Sequence, residues 1–371
     1  MENRLKVIMK TSIIGIAGNV LMALFKIIIG TISGAISILT DGINNLADAG
    51  SSFITIVAAA FAGKPADKKH PFGYGRVEYL SSLLIAGIIL YAGITSLIES
   101  VKGIINPETA SYSTISLVVI VIAVIVKLVL ALYTQKQGKK ANSDSLIVSG
   151  KEALLDVVVS VATVVAAIIY MFFHVSLEAY LATVISLVII KAGFDTLKET
   201  ISKIIGEPAE VSLVIELKKT ITSFKGVHGA YDLVLNNYGP DKYMASVHIA
   251  VDDTMTAAEF DTLIRALADT VYAKHSVVLS AVGLYAKNTT NPNVASALKS
   301  IVELAEKEEH VIGVHGFYMN EATKEMRFDM VVSLNTKDRI GVYNKVMEKI
   351  RALFPDYAII ATMDIDFNEL V

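Results

Sequence analysis

The sequence predicts an α-helical membrane protein with six transmembrane helices, followed by C-terminal α+β domains. Of the 371 residues, 53% are hydrophobic and 19% are charged, whereas soluble domains carry roughly 25% charged residues. Long apolar runs fill residues 1–206 and then give way to short alternating segments. The low charge argues against disorder, and the net charge of −3 argues against a nucleic-acid partner. Cysteine is absent, so disulfides and thiolate metal sites are excluded.

Each apolar run of residues 1–206 has about the 20 residues that a helix needs to cross hydrocarbon. The first follows basic residues, as in a secretory signal, but no A-x-A-like cleavage site comes after it, so we expect an uncleaved helix. The six runs lie near 8–30, 33–62, 77–101, 113–133, 146–173 and 177–201.

Basic residues predict the orientation of these helices. Lysine and arginine concentrate in the breaks at 62–76 and 134–151 and are absent from the breaks at 30–36 and 172–178. Since basic loops stay on the cytoplasmic side, we expect both termini in the cytoplasm and the helices in the cell membrane. The region 207–371, with 16 basic and 23 acidic residues, is then a cytoplasmic tail.

The sequence of the tail predicts a helix, two strands, a second helix and a third strand. The second helix begins at a capping box, Thr256 with Glu259 three residues later. We expect the five elements at 210–223, 227–235, 243–251, after Thr256 and at 277–285.

The same order of elements recurs after Asn291-Pro292, which supply an N-cap and a first-turn proline. Val227-His228-Gly229 is matched with Val314-His315-Gly316, and strand 326–334, helix 337–353 and strand 357–367 follow. We interpret the tail as two ferredoxin-like domains in tandem, although this rhythm can also arise without duplication. The predicted domains are 1–206, 207–288 and 289–371.

Acidic residues inside the apolar runs are the main functional signal. Asp41, Asn45 and Asp48 share one face of the second helix, and Glu152 and Asp156 are four residues apart on the fifth. At ~1.5 Å per residue, Asn45 and Asp156 each lie about 18 Å along their helices, near the bilayer midplane. Carboxylates at this depth are costly and by default mark an ion pathway.

Asp41, Asn45, Glu152 and Asp156 could together hold a small cation, with Asp48 as a possible further ligand. The alternative is that polar groups only hydrogen-bond the helices together, which is most plausible for Asn45. Neither helix has a lysine near its middle, so the three carboxylates would repel one another without a cation or protons. Lys26 and Lys127 are expected to reach the membrane surface or to pair within the bundle.

The motif Asp41-Gly-Ile-Asn-Asn45-Leu-Ala-Asp48 with Glu152-x-x-x-Asp156 resembles the paired [HD]-x-x-x-D motifs of the cation diffusion facilitator family. The segment Pro65-Ala-Asp67-Lys-Lys-His70-Pro-Phe-Gly73-Tyr74-Gly75-Arg-Val-Glu78 looks like the first cytoplasmic loop of that family. The resemblance implies a homodimeric exporter of divalent cations that is driven by inward proton flow.

Two departures from the zinc-type pattern point to manganese. Asn45 replaces the second carboxylate of the first pair, and Glu152 stands in the histidine slot of the second, which is similar to the manganese-exporting branch. Carboxylate and amide oxygens also suit hard cations such as Mn²⁺. His174 is expected at the outer edge of the bundle.

Secondary sites implied by the resemblance are incomplete here. Asp67 and His70 occupy a loop position where the family places a second metal site, but Tyr74 replaces a further histidine. In the tail His248 is retained, whereas Tyr231 and Ser280 stand in ligand positions. His228 and His315 are expected to be structural.

The sequence therefore predicts a Mn²⁺/H⁺ antiporter in the bilayer, with no enzymatic activity and no cofactor. One alternative is a broader exporter of Fe²⁺, Co²⁺ or Zn²⁺. From a different class, a membrane-tethered metal sensor is possible, although a sensor would not need the buried carboxylates.

Overall fold

The computed structural model describes residues 2–33, 36–106, 114–173, 178–240 and 242–367. The chain divides into two compact units. The first comprises Met1–Glu207 with the short segment Tyr238–Asp241, and the second comprises Pro208–Asn237 and Lys242–Val371.

The first unit is helical, and each of its long helices coincides with a predicted apolar run. The helices are α1 (Glu2–Ser33), α2 (Ile36–Ala62), α3 (Val77–Ile105), α4 (Thr114–Lys140), α5 (Asp144–Phe173) and α6 (Glu178–Ile205). Among the described residues, segments of α1, α3, α4 and α6 are long and apolar enough to cross a membrane. The other two helices, α2 and α5, carry the acidic residues of the predicted cation site.

The surface of the helical unit is apolar, whereas many of its buried positions are small or polar. Leu21, Tyr91 and Val129 are 66%, 73% and 64% exposed, as expected for side chains that contact lipid. Glycine allows α3 and α6 to approach closely, because a Cβ on Gly93 would lie 2.9 Å from Ile190. Such close packing of small residues is typical of helices in membranes.

The second unit contains two α+β repeats. The elements of the first are α7 (Val211–Thr222), β1 (Val227–Asn237), β2 (Tyr243–Asp252), α8 (Ala257–His275) and β3 (Val277–Lys287). Those of the second are α9 (Pro292–Ala305), β4 (Val311–Asn320), β5 (Glu325–Val332), α10 (Arg339–Leu353) and β6 (Ala358–Asp364). Each sheet has its middle strand antiparallel to the first strand and parallel to the third.

Local sequence signals explain where the helices of the tail begin. The predicted capping box is confirmed: the backbone N–H of Thr256 donates to Glu259 Oε2 at 2.8 Å, and the Glu259 N–H donates to Thr256 Oγ1 at 3.3 Å. Asn291 accepts a hydrogen bond from the Asn293 N–H, and Pro292 follows in the first turn of α9. Both devices satisfy N–H groups that a helix start leaves unpaired.

The pairing register corrects the predicted alignment of the repeats. Val227 pairs with Val251 at the start of one sheet, and Val311 pairs with Val332 at the start of the other. Val227-His228-Gly229 therefore corresponds to Val311-Ile312-Gly313, three residues before the predicted match. A short identical tripeptide was misleading because strand register depends on the whole ladder.

In the corrected alignment Tyr231, His248 and Tyr285 correspond to His315, Asp329 and Asp364. The second repeat therefore carries a histidine and two carboxylates at the positions that hold two tyrosines and a histidine in the first.

Candidate metal centre

Lys127 of α4 lies between the two helices that carry the predicted ligands. Its ammonium is 2.7 Å from Asp48 Oδ2 and 2.9 Å from Asp156 Oδ2. It also donates to Asn45 Oδ1 at 3.4 Å. We call this group the membrane cluster; its members are Asn45, Asp48, Lys127, Glu152 and Asp156.

The ammonium of Lys127 corrects the expectation that the carboxylates have no compensating cation. A helix other than α2 and α5 supplies the charge, and the pairing within the bundle that was one expectation for Lys127 is confirmed. The pairing of Lys127 with the carboxylates could have been predicted from the sequence, because this lysine lies within the fourth apolar run, where an ionisable residue normally pairs with another.

Several polar atoms of the membrane cluster are incompletely satisfied within the described part of the chain. Asn45 is fully buried, and its Nδ2 has no hydrogen-bond partner there. Asp156 Oδ2 contacts Lys127 as an ion pair but without the alignment of a hydrogen bond. Because buried polar atoms are nearly always paired in folded proteins, such atoms point to a group that binds there.

Glu152 of the membrane cluster accepts a hydrogen bond at its Oε1 from the Ser51 hydroxyl, at 3.1 Å. Next to it is a cavity of about 20 Å³, lined by side chains that include Asn19, Asp48, Ser149 and Glu152. This volume is enough for about one water molecule or ion. Asn19 of α1 was missed by the sequence analysis, and its buried Oδ1 has no hydrogen-bond partner among the described residues.

Helix geometry explains why these side chains meet. Asn45 and Asp48 are three residues apart on α2, so they point to one side, as do Glu152 and Asp156 on α5. Seven residues after Asp48 and three before Glu152, the hydroxyls of Thr55 and Ser149 are 3.2 Å apart and link the same two helices. Asp41 lies in α2, but its side chain is outside the described residues, and so is His174.

The predicted loop site brings Asp67 and His70 within 3.6 Å, with both side chains about half exposed. Tyr74, which stands in the position of a family histidine, donates its hydroxyl to Asp67 at 2.6 Å. This hydrogen bond and one from the His70 N–H hold the pKa of Asp67 below its usual range. Asp67 is therefore held by the loop itself, and its metal-binding role stays a prediction.

In the tail, His248 belongs to a second group of ionisable residues. We call it the junction cluster, because both repeats contribute to it; its members are Asp232, His248, Tyr285, His315, Asp329 and Asp364. His248 Nδ1 is 2.8 Å from Asp232 Oδ2, and His315 Nε2 is 2.7 Å from Asp232 Oδ1. His228 lies elsewhere and contacts Asp252 at 2.7 Å.

The electrostatics of the junction cluster favour a charged Asp232. Burial raises the pKa of Asp232, but the neighbouring His315 and Tyr285 outweigh burial and hold it at about 2. Burial, together with the Asp232 carboxylate, raises the pKa of Asp364. The pKa of His315 is raised because adjacent carboxylates outweigh the opposing effect of its burial.

Comparison with known proteins defines the class as a membrane transporter. The model "Cation efflux transmembrane domain" matches residues 12–205, and the model "Cation efflux protein, cytoplasmic domain" matches residues 210–281. Because the first match covers just over half of the chain, this protein belongs to the cation efflux family. The resemblance to cation diffusion facilitators is thereby confirmed, as is the predicted fold class.

Three relatives illustrate the range of the family. An uncharacterized transporter of Methanocaldococcus jannaschii is 29% identical over 67% of this chain and 88% of its own. The manganese efflux system protein MneP of Bacillus subtilis is 22% identical over 72% of this chain and 92% of its own. A cadmium, cobalt and zinc/H⁺-K⁺ antiporter of Bacillus subtilis is 24% identical over 64% of this chain and 76% of its own.

Proposed function

We propose that the protein exports Mn²⁺ in exchange for protons. The proposed transport site consists of Asp41, Asn45, Glu152 and Asp156, with Asp48 as a further ligand. The observation that carries the proposal is the set of buried oxygen ligands from α2 and α5 that already surround one cationic group, the ammonium of Lys127.

Lys127 gives the metal-free site a resident positive charge. An isolated carboxylate in a low-dielectric interior is strongly disfavoured, so Asp48 and Asp156 need a counter-charge whenever the cargo is absent. A divalent cation that binds these oxygens has to compete with the ammonium. The site therefore stays compensated in both states, which suits a carrier that must also release its ion.

The ligand chemistry favours manganese over zinc. Carboxylate and amide oxygens match hard cations, whereas Zn²⁺ prefers imidazole and thiolate. The relative MneP, named as a manganese efflux protein, supports this choice. The cadmium, cobalt and zinc antiporter supports the broader alternative, in which the same site accepts Co²⁺ or Zn²⁺.

The proposed setting is a homodimer in the cell membrane with both termini in the cytoplasm. In this orientation, basic loops of the helical unit face the cytosol, in agreement with the positive-inside rule. Protons entering from outside would neutralise carboxylates that the departing metal leaves close together.

A flux experiment with a metal panel tests this proposal. Purified protein in sealed liposomes is offered Mn²⁺, Fe²⁺, Co²⁺, Zn²⁺ or Mg²⁺, and a pH-sensitive dye reports proton counterflow. We expect Mn²⁺ flux coupled to proton movement in the opposite direction. Asp156→Asn should abolish both signals, whereas the matched control Asp195→Asn, at an exposed position on α6, should retain them.

Two outcomes would overturn the proposal. A Zn²⁺ rate well above the Mn²⁺ rate would establish the broader exporter instead. Flux that is the same in Asp156→Asn and in the parent protein would show that the membrane cluster is not the transport site.

A further inference from the structure

The junction cluster has the features of a second metal site. Asp232, His315 and Asp364 each offer one ligand atom, and these three atoms all lie within 4.8 Å of one another. Asp232 belongs to β1, whereas His315 and Asp364 belong to β4 and β6. Residues that are up to 132 positions apart in the sequence are thus gathered where the two repeats meet.

His315 provides an independent sign that a ligand belongs here. The residue is 8% exposed, and its Nε2 has no aligned hydrogen bond within the described part of the chain. This nitrogen is nevertheless 2.7 Å from Asp232 Oδ1 and 3.5 Å from Asp364 Oδ2. Imidazole nitrogen and carboxylate oxygen are ligand atoms that first-row divalent cations accept, and here they converge on a buried position.

The neighbouring side chains hold Asp232 in position. The Tyr285 hydroxyl donates to Asp232 Oδ2 at 2.7 Å and also contacts Asp329 at 3.0 Å. His248 contacts the same Oδ2, so Oδ1 is left to face His315. Outer partners that orient a ligating carboxylate in this way are characteristic of metal sites.

The backbone around the cluster is also specialised. Asp232 adopts a φ of 50° within an irregular stretch of β1, a conformation that is uncommon outside glycine and turns. Gly316, with a φ of 63°, lies so close to Asp329 that an added Cβ would be 2.8 Å from its carboxylate. Such conformations persist where surrounding structure enforces them and cluster at functional sites.

We propose that Asp232, His315 and Asp364 bind a first-row divalent cation that clamps the two repeats of the tail together. One imidazole nitrogen and two carboxylates form a mixed ligand set, which accepts Zn²⁺, Co²⁺ or Mn²⁺. His315 and Asp364 lie outside residues 210–281, the part of the tail that matches the family's cytoplasmic domain. The site therefore needs both repeats, with Asp232 from the first and His315 and Asp364 from the second, and it is separate from the transport site.

Cobalt binding to the full-length protein tests the proposal, since protein-bound Co²⁺ absorbs in the visible region. Chelator-treated protein in detergent is titrated with Co²⁺, and bound metal is counted by equilibrium dialysis. We expect His315→Asn to remove one Co²⁺ per chain or to weaken its binding at least about tenfold. The matched control His310→Asn changes an exposed histidine of the same repeat and should bind as the parent does.

A second variant keeps the test valid if His315→Asn disturbs folding. Asp364→Asn preserves the size of a less buried side chain and should lose the same Co²⁺ while its near-ultraviolet circular dichroism matches that of the parent. Asp156→Asn should keep this Co²⁺, which separates the junction cluster from the transport site. Unchanged stoichiometry and affinity in both Asp364→Asn and His315→Asn would overturn the proposal.

Discussion

The membrane cluster and the junction cluster both hold several carboxylates close together, but the basic group beside the carboxylates is an ammonium in the first and an imidazole in the second. Each gathers carboxylates from separate elements around a buried basic side chain, Lys127 in the helices and His315 in the tail, where the more exposed His248 also contacts Asp232. The ammonium of lysine has no lone pair while charged, so it can only compete with a metal ion. Neutral imidazole has one, so it can bind the metal directly.

This difference indicates how each cluster treats a cation. Under the proposed function, a metal ion in the membrane cluster would replace an internal positive charge, which favours exchange. Under the second proposal, a metal ion in the junction cluster would bind His315 and the carboxylates directly and join the two sheets, which favours retention and stability. In this comparison, the carboxylates alone do not determine whether a metal ion is exchanged or retained, because the type of nitrogen beside them makes the difference.

The largest expected effect distinguishes the clusters by function. Asp41→Ala should reduce Mn²⁺ flux about a hundredfold, since loss of even an outer partner of a metal ligand costs 10–100-fold. Asp364→Ala should leave at least about half of the flux, because the junction cluster lies outside the transport site. Flux into sealed liposomes measures both, and equal effects of the two substitutions would contradict the comparison.

The next effect concerns the competing ammonium. Lys127→Met removes the resident charge, so Mn²⁺ should bind at least about tenfold more tightly, a gain of about 1.4 kcal/mol, while flux slows because release becomes harder. The metal-free variant should also unfold at a lower temperature, since a buried pair has lost one partner.

Isothermal titration and thermal unfolding with and without Mn²⁺ measure the effects of Lys127→Met. Lys198→Met, at an exposed position on α6, is the matched control and should behave as the parent. Weaker Mn²⁺ binding by Lys127→Met would mean that the lysine supports the metal site instead of competing for it.

A third substitution makes the membrane cluster more like a site with imidazole. Asn45→Asp combined with Glu152→His should raise the ratio of Zn²⁺ to Mn²⁺ flux about tenfold, because imidazole replaces a hard oxygen ligand. Competition between the two metals in liposomes measures the ratio, with Glu99→His as the control at an exposed position. An unchanged ratio would place selectivity outside these ligands.

The smallest expected effect is on amide exchange at the start of α8, which is outside both clusters. Thr256→Ala removes the capping box of α8 and should speed amide exchange in its first turn about fivefold. Metal flux and Co²⁺ binding should not change. Hydrogen exchange detected by mass spectrometry measures this, with Thr262→Ala on the same helix as control, and no acceleration would show that the cap contributes nothing.

Much of the fold could be predicted because its signals are local. The six helices follow from apolar runs of sufficient length, and the starts of α8 and α9 follow from Thr256 and Asn291. The pairing of the repeats was harder, since the tripeptide around His315 gave the wrong register. Strand register depends on ladder contacts and bulges distributed along both strands, which a short motif does not reveal.

The sequence by itself determined which residues share a helix face, because the period of 3.6 residues places Asn45 with Asp48 and Glu152 with Asp156. Only the tertiary structure decided that Lys127 and Asn19 join them, and that Asp232, His315 and Asp364 meet. The physical reason is that periodicity specifies the direction of a side chain relative to its own element. Distances between elements depend instead on how whole helices and sheets pack, which no spacing within one segment encodes.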